Sequence, residues 1–169
     1  MIKLREALFE DLPEMLDIYN EAVLNSTATF DLQAQTLEER TVWFDKYGEN
    51  YPLIIAELHG KVAGYSSLSP FRAKPAYAYS TELSVYIASE FRGQGIGSVL
   101  VAEILKRAAE LGYHNVVSGV VGGNEASRKL HEKFGFAYIG CFKEVGLKFG
   151  EWQDVHFYQL LLNKDGNNG

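Results

Sequence analysis

Cysteine is almost missing from this chain: Cys141 is the only one in 169 residues, which excludes an intrachain disulfide and a cysteine metal cluster. Proline is scarce too, with four residues, and no run of proline, glycine or serine reads as a linker or low-complexity block. Positive charge is in deficit. Lys and Arg number 16 against 22 Asp and Glu, a formal net charge of −6, so the clustered cations that hold nucleic-acid phosphates are lacking and no nucleic-acid partner is expected. No apolar stretch is long enough to span a bilayer, and no N-terminal apolar run reads as a secretion signal, so the expectation is a soluble cytoplasmic protein without a membrane partner. His59, His114 and His156 stand in turn or strand contexts without ligand spacing, so no metal site is expected. What is abundant is apolar and aromatic residues, 47% and 13% of the chain. That is enough for one globular domain over residues 1–162, with Asn163–Gly169 a frayed polar tail.

Periodicity divides the chain into alternating elements. Met1–Glu6 reads as a strand and Glu10–Leu24 as a helix, with Leu12, Met15, Leu16, Tyr19 and Val23 at helical spacing and Pro13 in the first turn. A polar loop, Asn25–Gln35, holds a single aromatic, Phe30. Thr36 and Glu39 form a capping box that opens a helix running to about Tyr47. Leu53–Leu58 and Lys61–Leu68 are strands joined by the turn His59-Gly60. A loop over Ser69–Tyr79, a strand over Ser80–Ile87, a helix over Ser98–Leu111, a strand over Asn115–Val121 and a helix over Asn124–Phe134 follow. Phe136–Val145 and Gln153–Leu162 complete the set, joined through the loop Gly146–Trp152. The sum is an α/β (α+β) domain: a mixed sheet of about seven strands with about four flanking helices.

The stretch Ser80–Ile104 carries the most chemistry. Its strand half alternates, with Leu83, Val85 and Ile87 on one face and Glu82, Ser84 and Tyr86 on the other. A turn, Arg92-Gly93-Gln94-Gly95-Ile96-Gly97, then opens a helix at Ser98. Glycines let backbone N–H groups approach a ligand, and a helix N-terminus adds unpaired donors and a positive dipole end, so the turn suits a pyrophosphate. It is not a P-loop, because no Gly-Lys-Ser/Thr follows, and it lacks the Gly-x-Gly-x-x-Gly of dinucleotide folds. Arg92, Gly95 and Gly97 do resemble the acetyl-CoA signature of the GNAT family of N-acetyltransferases: Arg or Gln, two residues, Gly, one residue, Gly or Ala.

A second segment supports the resemblance. Asn124-Glu125-Ala126-Ser127 leads into Leu130-His131-Glu132-Lys133-Phe134-Gly135-Phe136, similar to that family's Asn-x-x-Ser/Ala followed by Leu-Tyr-Glu-Lys-x-Gly-Phe. The resemblance implies the GNAT fold, with a sheet splayed at its middle so that the backbone of Val85, Tyr86 and Ile87 pairs with the pantetheine arm of acetyl-CoA as the cosubstrate. It further implies that Gly93, Gln94, Gly95, Ile96, Gly97 and Ser98 wrap the pyrophosphate beside Arg92, and that Asn124 and Ser127 contact the arm from the other side. Plain helix capping explains Asn124 and Ser127 equally simply. Where the family often has a Tyr that protonates the departing thiolate, this chain has His131, either an acid of the reaction or a packed helix histidine.

Glu82 shares its strand with Val85 and can accept the proton that an ammonium must lose before attack; the alternative is an ordinary strand glutamate. Ser80-Thr81-Glu82-Leu83-Ser84-Val85-Tyr86-Ile87, Phe71-Arg72-Ala73-Lys74-Pro75-Ala76-Tyr77 and Val145–Asp154 are similar to the phosphinothricin and methionine sulfone acetyltransferase branch, from Ile2 to about Leu162. By that resemblance the acceptor is a small amino acid analogue with a free α-amine, and the enzyme is a homodimer. Arg72 is then the carboxylate partner and Lys74 a weaker one. Phe30 and Tyr77 wall the pocket, with Leu83 and Ser84 beside Glu82. Lys148, Trp152 and Asp154 match the branch, either as substrate contacts or as hairpin residues. Cys141, in an apolar strand, reads as core. Two rivals stand: an acetyltransferase for another amine, and a non-catalytic acetyl-CoA-binding module. The second is disfavoured by Glu82.

Overall fold

The structure is a computed structural model and describes residues 1–162, so the expectation for Asn163–Gly169 lies outside the described residues. Seven strands, β1 (Lys3–Glu6), β2 (Leu53–Leu58), β3 (Lys61–Pro70), β4 (Ser80–Ile87), β5 (Asn115–Val121), β6 (Ala137–Lys148) and β7 (Glu151–Leu161), form one sheet. Their order is β1-β2-β3-β4-β5-β7-β6. All neighbours are antiparallel except β4 and β5, which run parallel. Four helices flank the sheet: α1 (Leu12–Asn25), α2 (Leu37–Phe44), α3 (Ile96–Glu110) and α4 (Glu125–Lys133).

The pleat assigns each strand residue to one of two cores. Ile54, Ala56, Leu68, Leu83, Val116 and Val120 point toward α3, whose Ile96, Leu100, Ile104 and Ala108 recur every four residues and are all buried. Leu53, Ile55 and Tyr65 point the other way, onto Met15 and Ile18 of α1. Strands β2 and β3 are covered on both faces, which is why β2 reads as a nearly continuous apolar run and why β3 buries even Ser66 and Ser67. Gly64 sits where β3 meets β4 closely: a Cβ there would come within 2.8 Å of the Tyr86 carbonyl oxygen and 2.9 Å of Ile87 Cδ1. The Thr36–Glu39 capping box is present at the start of α2.

Several boundaries differ from the periodicity. Helix α3 begins at Ile96 and not at Ser98, because Gly95, at φ +82°, is itself the N-cap. Helix α2 stops at Phe44. Strand β3 runs on to Pro70, and Pro75–Tyr77 makes a short 3-10 turn within the expected loop. The largest difference is at the end of the chain. Gly146–Trp152 is not a loop: β6 and β7 continue to Lys148 and from Glu151, and only Phe149 and Gly150 turn, both at positive φ. Strand β6 absorbs its extra residues in a bulge between Phe142 and Gly146, where Glu144 has φ +50° and its amide donates to Asp154 Oδ1 at 2.7 Å.

Candidate active site

The one parallel pair is where the sheet opens. Strands β4 and β5 are in register only at Ser80–Asn115, Thr81–Val116 and Glu82–Val117. Beyond Glu82 no pairing joins them, whereas β4 stays paired with β3 through Ile87. The backbone of Leu83–Ile87 on its β5 side is therefore free to pair with another extended chain. A slot of about 210 Å³ occupies the split, lined by Glu82, Ser84 and Val85 on one side and Ser118, Val121 and His131 on the other.

Outward from the slot runs a groove of about 760 Å³. Its lining takes in Val85, Tyr86 and Ile87, the turn residues Arg92, Gly93, Gly95, Ile96 and Gly97, and Asn124 and Ser127 across from them. The three β4 residues offer backbone only. Val85 and Ile87 pack their side chains against the main core, and Tyr86 turns to the α1 face, edge-on to Tyr19 at 5.4 Å. Gly93 and Gly95 line the groove at positive φ, and a Cβ on either would meet nothing within 4 Å. Gln94 and Ser98 fall outside the groove lining. Ser98 instead accepts a hydrogen bond from Lys133 Nζ at 2.9 Å, which sets a cation beside the start of α3. No local pattern points to that cation, since Lys133 lies 35 residues on in another helix. Arg92 is held by Glu21 of α1 at 3.3 Å. Asn124 Oδ1 accepts from the Ser127 amide at 3.1 Å, so Asn124 caps α4 and lines the groove at once.

On the opposite face of the sheet, Glu82 borders a cavity of about 340 Å³ shared with Thr29, Phe30, Gly119 and Phe157. Burial pushes its carboxyl above the ordinary range, and nearby Arg72 partly offsets this. No described residue hydrogen-bonds the carboxylate. Arg72 and Tyr77 line an adjoining cavity of about 590 Å³, floored by a polar ladder in which Asn115 donates to Ser80 and accepts from Gln159. Cys141 is half-buried on the wall of that cavity and is not a core residue. Lys74 lines neither cavity. Ser84 reaches the slot, while Leu83 turns its side chain into the core and presents only backbone.

The loop bearing Phe30 is tied down by residues that local patterning could not connect to it. Tyr19 of α1 hydrogen-bonds Thr29 and Asp31. Lys148, buried, donates from Nζ to the Thr29 carbonyl at 2.8 Å, and that burial lowers its pKa. Trp152 is exposed and Asp154 holds the β6 bulge, so these branch-like residues shape the hairpin. The Phe30 ring lies directly on Gly146, where a Cβ would come within 2.5 Å of Cε2. A Gly146→Val protein is expected to lose acceptor affinity while titrating acetyl-CoA as the parent does. Isothermal titration of both ligands checks this.

His131 is buried beneath the slot. Its Nδ1 lies 2.6 Å from the Ser127 carbonyl, which can only accept, so Nδ1 carries the hydrogen. Its Nε2 lies 2.7 Å from Ser118 Oγ and is left as the acceptor. Burial lowers the imidazole's pKa, so the resting ring is neutral and its one N–H is committed. At rest the ring therefore presents no free N–H to the slot. Among the described residues no group of three His, Cys, Asp or Glu side chains could hold a metal ion, and no helix is long and apolar enough to cross a membrane.

Residues 12–136 match the acetyltransferase (GNAT) family. The chain belongs to the GNAT family. It is an N-acetyltransferase, and its sheet of seven strands with four helices is the GNAT fold. Similar proteins include a phosphinothricin N-acetyltransferase of Streptomyces coelicolor, 40% identical over 95% of this chain and 96% of that one. An L-methionine sulfoximine/L-methionine sulfone acetyltransferase of Pseudomonas aeruginosa is 38% identical over 95% of this chain and 94% of its own. The crystal structure of a GNAT phosphinothricin acetyltransferase from Sinorhizobium meliloti, in complex with acetyl-CoA, superposes with a TM-score of 0.91 at 36% identity, covering 95% of this chain and 88% of that one. In this GNAT enzyme the slot that holds Glu82 and the groove lined by the glycine turn share Val85, Tyr86, Asn124 and Ser127.

Proposed function

We propose that the enzyme transfers the acetyl group of acetyl-CoA to the α-amine of a small amino acid analogue of the phosphinothricin, methionine sulfone or methionine sulfoximine kind, by direct attack in a ternary complex. One observation carries this: Glu82 stands where β4 and β5 part, between the glycine-lined groove and the cavity that Arg72 borders. The groove fits an extended cosubstrate. Backbone of Val85–Ile87 pairs with the pantetheine arm, and the N-terminus of α3 with Gly93–Gly97 receives the pyrophosphate. Arg72 takes the acceptor's carboxylate, and Phe30 and Tyr77 wall its side chain. Glu82 takes the ammonium proton, a role suited to a carboxyl whose burial has raised its basicity. Backbone N–H groups along the split polarise the thioester carbonyl.

In this reading residues 1–162 act as one catalytic domain in the cytoplasm. The homodimer is favoured by the free β6 edge, which exposes Ile139, Phe142 and Leu147, with exposed Trp152 of β7 paired beside Leu147. The test is CoA release with a panel of amines: amino acid analogues should turn over, and spermidine and peptides should not. Arg72→Ala should weaken acceptor binding by about 1.5–3 kcal/mol, the range for a hydrogen bond to a charged group, with acetyl-CoA binding unchanged. Good turnover of spermidine or a peptide, with methionine sulfone ignored, would sink the proposed substrate class.

A further inference from the structure

Acetylating an amine removes two protons from one nitrogen. The ammonium loses the first before it attacks, and the new N–C bond makes the nitrogen shed the second as sulfur leaves. One carboxylate, Glu82, cannot hold both. The split in the sheet brings a second proton carrier to the same slot. Ser118 shares the pleat of Val116 and Val120 and so points to the α4 side, opposite Glu82, where its Oγ meets His131 Nε2 at 2.7 Å. Both residues line the slot.

We propose that Ser118 and His131 form a proton relay that takes the second proton from the reacting nitrogen and delivers it to the departing sulfur. This rests on the acetyltransferase reading above. At rest the Ser118 hydroxyl donates to Nε2, and the Ser127 carbonyl holds Nδ1–H. Ser118 Oγ therefore offers lone pairs to the slot. When the nitrogen releases its proton, a new Oγ–H bond forms on the slot side, the old Oγ–H bond breaks, and Nε2–H forms. The pair has now inverted: imidazolium donates to Oγ, and the serine O–H faces the slot as a donor. Transfer to the thiolate forms S–H, returns the Nε2 proton to Oγ and restores the resting pair. Nothing is consumed.

The surroundings suit a base that must release its proton again. The imidazole stacks on Tyr158 of β7 at 5.3 Å and meets Phe136 edge-on at 5.0 Å, a setting that favours the neutral ring. Of the charged groups nearby on α4, Arg128 is already paired with Glu125 and Glu132, and Lys133 with Ser98. Tyr158, its pKa raised by burial, stays neutral. Glu82 lies across the slot and is itself neutralised by the first proton.

The test compares Ser118→Ala, Ser118→Thr and His131→Gln with the parent. Ser118→Ala and His131→Gln should lose about a hundredfold in kcat, within the usual range for proton transfer, with the KM for acetyl-CoA little changed. Ser118→Thr should restore most of it. In the parent, log kcat should fall with a slope of two at acid pH, because Glu82 and His131 must both be deprotonated. In Ser118→Ala the slope should be one, which a merely structural serine would not produce. Parent-like kcat and slope in Ser118→Ala would overturn the relay alone, whereas a parent that releases CoA with no amine would overturn the acetyltransferase reading. Histidine ¹⁵N NMR of the parent tests the pair independently of turnover: Nε2 of His131 should be bare near pH 7.5 and gain its proton on acidification. A protonated Nε2 at pH 7.5 would overturn the proposal.

Discussion

Glu82→Gln is expected to lower kcat by roughly 10²–10⁴, the usual worth of general acid–base catalysis, while making the protein more stable at neutral pH. The two effects share a cause. Burial raises the Glu82 carboxyl above its ordinary value of 4.5, so the folded protein keeps a proton there that the unfolded chain has released. Stability therefore falls as pH rises from about 4.5 through the folded-state pKa, and at neutral pH the native fold bears the whole cost of a desolvated carboxylate. Glutamine bears none. Thermal melts should show a higher Tm for Glu82→Gln at pH 7 to 8, with the gap closing as pH falls toward 4.5. The catalytic loss should shrink at high pH, where the acceptor arrives as free amine. Parent-like kcat from pH 6 to 9 would exclude Glu82 as the base. A loss confined to KM would mark it as a residue that only holds the ammonium.

Gly95→Val is expected to abolish most acetyl-CoA binding. In the parent, a hundredfold excess of acetyl-CoA over Kd should add about 2.7 kcal/mol of stability, and in the variant that increment should nearly vanish. Valine at φ +82° is strained, and it would add a side chain to the groove lining where nothing of the protein lies within 4 Å. Gly97→Val is the companion. Its position is helical and its Cβ would touch only Leu130 Cδ2, at 3.4 Å, so it obstructs the groove with less backbone strain. Melting each variant with and without acetyl-CoA separates the contributions. Strain lowers the ligand-free Tm of Gly95→Val, and obstruction removes the ligand-induced rise in both. Two variants with the parent's ligand-induced rise would rule out the glycine turn as the pyrophosphate site.

The groove proposed for the cosubstrate was legible in sequence because its parts are local. Glycines at 93, 95 and 97, a strand before them and a helix after them follow one another along the chain, and each has a backbone reason to be there. Leu53–Leu58 and Asn115–Val121 were bounded correctly because their apolar runs end at turn residues, His59-Gly60 and Gly122-Gly123. The proposed acceptor side was less legible because it is assembled from distant pieces. Lys148 pairs with a carbonyl 119 residues away, and Phe30 rests on a glycine that local patterning reads as part of a loop. Ser118 left no trace in the pattern at all. It occupies a core-facing position in a valine-rich strand, and a serine there has no meaning until α4 places His131 opposite it. His131 was found, but its polarity was not, because that depends on the Ser127 carbonyl.

The bond from Lys148 to the Thr29 carbonyl has a consequence for how the enzyme comes into being. It links a loop near the start of the chain to the final hairpin. The wall around Phe30 therefore cannot close until the ribosome has released nearly the whole polypeptide, whereas the glycine turn and its helix, which ends at Glu110, are synthesised well before Lys148. A nascent chain thus acquires the glycine turn early, but because the same final hairpin also lends Phe149 to the groove, the proposed donor and acceptor sites are completed together, when the last strands arrive.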